Sequence, residues 1–380
     1  MKNNTWVEIN KENLIHNLRN IKSQTNNSKL MFVVKANAYG HDIKKAVSIT
    51  EEQVGLVDTY GVHMLESAIK LRENGIKKDI YVLGYVNINN LKYLFEYNLI
   101  HVVTNKESLN KICELAKNRK ENIKINLKCE TGTNRQGILK EDFPAYLEKI
   151  KNCSYVKLEG LVSHFANIED TTDKTYAKYQ LNKYEEFINI AKNNNFELPR
   201  NHIACSAAIL LLPETHYDMV RAGISSYGLW SSKETYLSHQ FESQTPITLK
   251  PVLSWKTIIG QLKTIQPGSY IGYGCTYKTT NKTQLAILPI GYYDGYDRKL
   301  SNSGYVIIND KRAPLRGRVC MNMIIVDVTN IPEPKLEDEV ILIGKSSSEE
   351  ISAEEIADKT NTINYEVVSR INPNIERIIV

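Results

Sequence analysis

Short apolar runs alternate with longer amphipathic stretches over roughly the first 235 residues, the spacing expected of alternating strands and helices. Strands are predicted near 30–35 (LMFVVK), 57–62, 80–84 (IYVLG), 100–104 (HVVT), 124–128 (KINLK), 157–163 (KLEGLVS), 202–205 and 218–221. Between them lie helical patterns such as "NKESLNKICELAKNRK", "AYLEKIKN" and "YAKYQLNKYEEFINIAKNNN". Eight alternations with both strand faces apolar predict a parallel (β/α)8 barrel.

After about residue 240 the rhythm becomes strand and turn: "LSWKTIIGQLKTI", "TQLAILPIGY", "GYVIIND", "MIIVDVT", "DEVILIG". One helix interrupts, "SAEEIADKT", opened by a capping box of Ser352 and Glu355. The reading is α/β: a barrel domain over 1–240, then a mostly antiparallel β-domain over 241–380. The polar stretch 231–247 is the expected linker. The segment "TWVEI", within residues 1–10, is a candidate to pair with the second domain.

Composition changes this picture little. The 380 residues are 42% hydrophobic and 24% charged, with a net charge of +5. That is an ordinary globular balance. No basic block interleaves with aromatics, so nucleic acid is not an expected partner. The six cysteines stand far apart without a C-x-x-C pair, which predicts free thiols and a reducing compartment. There is no signal-peptide core and no 18-residue apolar run, so the expectation is a cytoplasmic protein or the cytoplasmic domain of a membrane-anchored one.

Barrel enzymes carry their chemistry at the C-terminal ends of the strands. On the predicted map Lys35 ends the first strand, in "VVKANAYGHD", and Lys128 ends the fifth, with Arg135 in the loop after it. His164 ends the sixth, Ser206 follows the seventh, and Arg221 ends the eighth, with Gly223 just beyond. Singly, each has a plain explanation: a snorkelling lysine, a surface arginine, a satisfied histidine. Together they converge on one rim. Ser206 and "RAGI" fall where such barrels often bind phosphate through backbone N–H groups. A lysine facing a phosphate site suggests a Schiff base with pyridoxal phosphate. No metal-ligand spacing competes.

"VVKANAYGHD" resembles the lysine-bearing motif of the alanine racemases, fold-type III pyridoxal-phosphate enzymes. The likeness continues in "KCETGTNRQG", "SHFANIED", "VRAGISSYG", "LKPVLSWKT", "YGCTY", "PIGYYDGYDR", "GRVCMNM", "VDVT" and "INYEVVSRI". It therefore spans the whole chain. The resemblance implies that Lys35 carries the cofactor and serves as one of two bases. Tyr273 would be the opposite base, supplied by the partner subunit of a homodimer with shared active sites. Tyr39, Ser206, Gly223, Ile224 and Tyr365 would hold the phosphate. Arg221 would face the pyridine nitrogen, with His164 between it and Tyr273. Arg135 would hold Tyr273 and help bind the substrate carboxylate, and Met321 would offer that carboxylate its backbone N–H. Tyr292 would line the substrate entrance, and Lys128 matches a lysine often carbamylated in the family.

Three departures stand out. Glu130 and Thr133 replace the more usual Asp and Met, and Asn322 replaces the Asp of a C-M-D motif. An amide there removes a negative charge and adds a donor and an acceptor, which suits a serine hydroxyl. This resembles the racemase domain of the serine racemases of vancomycin-resistance clusters, where a membrane-spanning part precedes the racemase. The expected function is interconversion of L- and D-serine, L- and D-alanine, or both, supplying D-amino acids for cell-wall precursors. The alternatives are an alanine racemase with a neutral Asn322, a decarboxylase of the same build, and a pyridoxal-phosphate carrier. Arg221 at the pyridine nitrogen argues against a decarboxylase, and the β-domain argues against a carrier.

Overall fold

A computed structural model describes residues 3–25 and 27–380. The chain divides into two compact units, one of residues 15–36 and 47–250, the other of 1–14, 37–46 and 251–380. Strand β1 is Thr5–Ile9. The first unit holds β2 (Lys29–Val33), β3 (Thr59–Val62), β4 (Ile80–Val82), β5 (Ile100–Val103), β6 (Ile123–Lys128), β7 (Val156–Val162) and β8 (Met219–Ala222). These pair in parallel in the order β7-β6-β5-β4-β3-β2-β8.

The predicted strand at 202–205 is a correction. It is an extended segment with only an isolated bridge between Val162 and His202. Its backbone still bonds both neighbours: His202 N donates to Leu161 O (3.0 Å), and its Ala204 carbonyl accepts from Arg221 N (3.1 Å). The Arg221 guanidinium also donates to the carbonyls of His202 and Ile203. The segment is thus the eighth stave of the (β/α)8 barrel, with an arginine side chain reaching its carbonyls. Every position of β3, β4 and β5 is buried, as a strand between a packed barrel interior and a helix layer requires.

The outer helices follow the predicted patterns. Helix Lys106–Arg119 is capped by Asn105, whose side chain accepts from Ser108 N, and buries Leu109, Ile112, Cys113 and Ala116 at helical spacing. The expected linker contains a helix, Lys233–Glu242, capped by Ser232 accepting from Thr235 N. Its weak periodicity hid it; the Ser232 cap was the available signal.

In the second unit, β9 (Leu253–Ile258), β10 (Gln261–Ile265), β11 (Tyr270–Ile271), β12 (Tyr277–Lys278), β13 (Thr283–Leu288), β14 (Tyr305–Ile308), β15 (Lys311–Pro314), β16 (Ile324–Asp327), β17 (Glu339–Lys345), β18 (Glu350–Ile351) and β19 (Glu376–Ile379) form the β-domain. The larger sheet runs β15-β14-β17-β9-β1-β19, and a three-stranded one β10-β13-β16. Strand β1 lies antiparallel to β9 and parallel to β19. The strict burial alternation of β9 puts Leu253, Trp255 and Thr257 inward. Ser352 caps helix Ala353–Thr360 as expected, accepting from Glu355 N at 3.1 Å. The Glu355 carboxylate, however, grips Arg312 in a two-pronged pair at 2.8 and 2.9 Å. Among the described residues no helix is long and apolar enough to cross a membrane.

The expectation of free thiols is corrected at one pair. Cys113 and Cys153 form a disulfide across 40 residues. Local cysteine spacing does not reveal it, because the fold alone brings Cys113 on its helix to Cys153 in the loop after helix Phe143–Lys151. Closing a loop of this length should stabilise by up to about 4 kcal/mol. The double variant C113A/C153A should accordingly unfold at lower guanidinium concentration than the oxidised protein. Identical midpoints would mean that the bond contributes nothing in solution.

Candidate active site

The chain leaves β2 at Val33 and reaches Lys35, which opens one helical turn, Lys35–Tyr39. Ala36, Asn37, Ala38 and Tyr39 have φ between 51° and 55°, so the turn is left-handed. Four L-residues in that conformation cost roughly 4–8 kcal/mol. Such strain persists only where the surroundings impose it, and it gathers at functional sites. Gly40 follows at φ 85°, where an added Cβ would stand 2.0 Å from the Val368 carbonyl oxygen.

Arg221 is the centre of the barrel end. Nearly buried, it donates through Nη1 to His202 O (3.0 Å) and Nδ1 (2.9 Å), and through Nη2 to Ser163 O (2.8 Å), Ile203 O (2.9 Å) and His164 Nδ1 (3.2 Å). Because Arg221 can only donate, both histidines must accept on Nδ1 and carry their proton on Nε2. Burial first, then the Arg221 charge, holds both well below the usual histidine range. His202 was not anticipated, since a lone histidine inside an apolar run reads as core.

Lys35 keeps solvent access at the rim, yet enough protein surrounds it for desolvation, then Arg135, to lower its pKa. Lys128 is lowered to about 8, chiefly by desolvation, then by Arg221 and Arg135. The rim is therefore strongly cationic, matched to a phosphate and a carboxylate. Arg135 itself is exposed. Glu130 accepts from Gly132 N (2.6 Å) and Asn134 N (2.9 Å), shaping the loop that bears Arg135, while Thr133 donates to His164 O (2.6 Å). The two departures in that loop thus have local structural work.

Ser206 opens helix Ser206–Leu211, and its Oγ accepts from Gly223 N at 2.9 Å. Gly223 caps the short turn Ile224–Tyr227, within which the Ser225 hydroxyl is buried without a partner among the described residues.

The remaining predicted residues lie in the other unit. Tyr39 and Tyr365 meet with ring centroids 6.1 Å apart. Tyr273 is 72% exposed on a turn between Gly272 (φ 69°) and Gly274 (φ 73°). Tyr292 N and Tyr293 N donate to Cys320 O and Met321 O, each at 3.0 Å. A Cβ on Gly291 would collide with both those carbonyls at 2.3 Å. Tyr292, Met321 and Asn322 are thereby gathered, with Tyr292 and Met321 partly exposed.

An amine of lowered pKa, a hydroxyl and backbone N–H groups at a short turn, and a buried guanidinium are a donor set that fits the aldehyde, phosphate and ring nitrogen of pyridoxal phosphate. Fold and site together define a barrel enzyme of the pyridoxal-phosphate class. Family models for the alanine racemase N-terminal domain and C-terminal domain match residues 9–231 and 252–379. The alanine racemase of Halothermothrix orenii is 39% identical over 374 residues, 98% of this chain and 96% of that protein. The solved structure of alanine racemase from Clostridium difficile 630 superposes with a TM-score of 0.92 at 33% identity, covering 100% of this chain and 96% of that one. A histidine racemase from Leuconostoc mesenteroides superposes with a TM-score of 0.87 at 25% identity, covering 99% and 98%. The chain belongs to the alanine racemase family, and its cofactor is pyridoxal phosphate.

Proposed function

We propose that the protein interconverts L- and D-alanine, and accepts serine, by a two-base mechanism in which Lys35 and the partner subunit's Tyr273 work from opposite faces of the substrate. The observation that carries this reading is the gathering of Lys35, Lys128, His164, Ser206 and Arg221 at one end of the barrel. Bound pyridoxal phosphate supplies the electron withdrawal that makes the α-hydrogen of an amino acid removable. Lys35 holds it covalently, and its lowered pKa leaves more of the amine unprotonated near neutrality, as a base requires. Ser206, Gly223 and Ile224, with Tyr39 and Tyr365, hold the phosphate. Arg221, which gives up no proton, would face the ring nitrogen. His164, its Nδ1 occupied by Arg221, carries its proton on Nε2 and would offer that donor to the partner subunit's Tyr273 hydroxyl.

Exposure of Tyr273 on a glycine-flanked turn supports its being offered to a second subunit, so the working form is a homodimer with shared active sites. Arg135 steadies Tyr273 and the substrate carboxylate, which also receives the Met321 N–H. Lys128, lowered to about 8, holds enough neutral amine to take up carbon dioxide as a carbamate, an anion that would steady Arg135. Tyr292 lines the entrance. The setting is the cytoplasm, where D-amino acids enter cell-wall precursors.

Serine is the second reading, and the amide of Asn322 favours it: beside the carboxylate site it offers a donor and an acceptor to a hydroxyl. The match to a histidine racemase supports the view that this fold leaves side-chain choice to the pocket. Chiral product analysis after incubation with either L-amino acid tests both. D-alanine must form. D-serine within about tenfold of it, in rate, supports the Asn322 reading, because a site discriminates by a hydroxyl strongly only when its polar groups would otherwise go unpaired. D-alanine alone makes Asn322 neutral and removes any tie to resistance-type serine racemases. No D-product from either rejects the racemase.

A further inference from the structure

The left-handed turn after Lys35 needs an external clamp, and two side chains outside the predicted site provide one. His41 is fully buried, and its Nδ1 lies 3.1 Å from Ala38 O and 3.0 Å from Tyr39 O. Both partners are carbonyls, so Nδ1 is the donor and the ring binds two consecutive carbonyls of the turn. Arg377, 2% exposed on β19, reaches the next carbonyl: its Nε donates to Gly40 O at 3.1 Å. Its other N–H groups are spent on Asn372 O and Ile375 O (both 2.6 Å) and Ile371 O (3.0 Å). Three successive carbonyls, 38 to 40, are therefore held by donors from outside the turn. Asn37 adds a lock of its own, taking Asp42 N on its carbonyl and Ile43 N on its side chain, both at 3.0 Å.

We propose that His41 and Arg377 are positioning residues for the cofactor: by pinning carbonyls 38 to 40 they hold the turn left-handed and so fix where Tyr39 stands relative to Lys35. The proposal rests on the reading above, in which Lys35 carries the cofactor and Tyr39 helps hold its phosphate. Those two attachment points are the ends of one five-residue turn, and a right-handed or frayed turn would carry the Tyr39 hydroxyl elsewhere while leaving both residues intact. Strain in the turn accounts for both side chains being buried and donating to its main-chain carbonyls. Nothing local in the sequence links Gly40 to Arg377.

The test compares His41→Leu, which keeps the bulk and loses the donor, with His41→Asn, whose amide can donate from near the Nδ1 position. It is read first in the cofactor-free protein, by hydrogen exchange of amides 38–43. His41→Leu should exchange there at least about tenfold faster, the effect of one lost hydrogen bond to buried groups. It should also raise the dissociation constant for pyridoxal phosphate by about tenfold and lower the yield of borohydride-fixed cofactor on Lys35. His41→Asn should recover exchange and affinity to within about threefold of the parent. Arg377→Lys, which keeps charge and length but not the fork, should move both readouts in the same direction and stands in if His41→Leu does not fold. Exchange and affinity unchanged in all three variants would overturn the proposal. Loss of affinity not recovered by asparagine, with exchange unchanged, would also overturn it. A parent protein that binds no cofactor would instead reject the reading above, and the exchange data would still decide whether the turn is clamped.

Discussion

Tyr273→Phe should lower racemisation by about 10²–10⁴-fold, the contribution of a positioned acid–base group. Cofactor uptake should be unaffected, because Lys35, Ser206, Gly223 and Ile224, the residues proposed to hold the cofactor, all remain. The sharper consequence concerns exchange of the α-hydrogen with deuterated solvent. With both bases present, either enantiomer loses its α-hydrogen and is recovered partly inverted. With phenylalanine at 273, Lys35 can still deprotonate the one enantiomer whose hydrogen faces it and must return a deuteron to the same face. Exchange without inversion, for one enantiomer alone, is therefore the expected signature, followed by proton NMR and chiral chromatography together. Inversion within about tenfold of the parent would exclude Tyr273 as a base. Loss of exchange from both enantiomers would mean that Tyr273 does something to the site as a whole.

Much of this was legible because the physics was local. Lys35 stands where an apolar strand ends, and a barrel gathers its strand ends on one rim, so the pattern makes it a candidate that the other rim residues strengthen. The same reasoning reached Lys128, His164, Ser206 and Arg221. What escaped it was non-local or disguised. His202 sits in a stretch that reads as a strand, and only the fold reveals that Arg221 consumes that stretch's carbonyls and its ring nitrogen. The left-handed turn contains no glycine before Gly40, so nothing in "KANAY" announces it. Arg377 acts on Gly40 from 337 residues away. The disulfide joins a helix residue to a loop residue 40 positions on, which no spacing rule pairs. Helix Lys233–Glu242 was lost to a different cause, a polar composition that made a capped helix resemble a linker. Glu355 shows the limit of motif reading from the other side. Its position predicts a reciprocal cap, but a nearby guanidinium offers a stronger, charge-assisted partner and wins.

On the proposed two-base reading, Lys35→Ala should have the largest effect of any single change, since it would remove the covalent hold on the cofactor and one base together. Racemisation should fall by at least about 10³–10⁴-fold in both directions. Pyridoxal phosphate should still bind, through the Ser206, Gly223 and Ile224 cradle, but borohydride should fix none of it to the protein. In the parent, the pH dependence of that fixation should report an amine titrating below the ordinary 10.5, because desolvation and the Arg135 charge both disfavour the ammonium. This variant also decides how the sites are built. If each site takes Lys35 from one subunit and Tyr273 from the other, a mixed dimer of Lys35→Ala with Tyr273→Phe contains one site with neither substitution and one with both. Random reassembly of equal amounts makes half of the dimers mixed, so about a quarter of the parental activity should return from two inactive preparations. If instead each chain supplied both bases to its own site, every site would carry one substitution and mixing would restore nothing. Recovery on mixing is therefore evidence for the shared site that neither single variant can give.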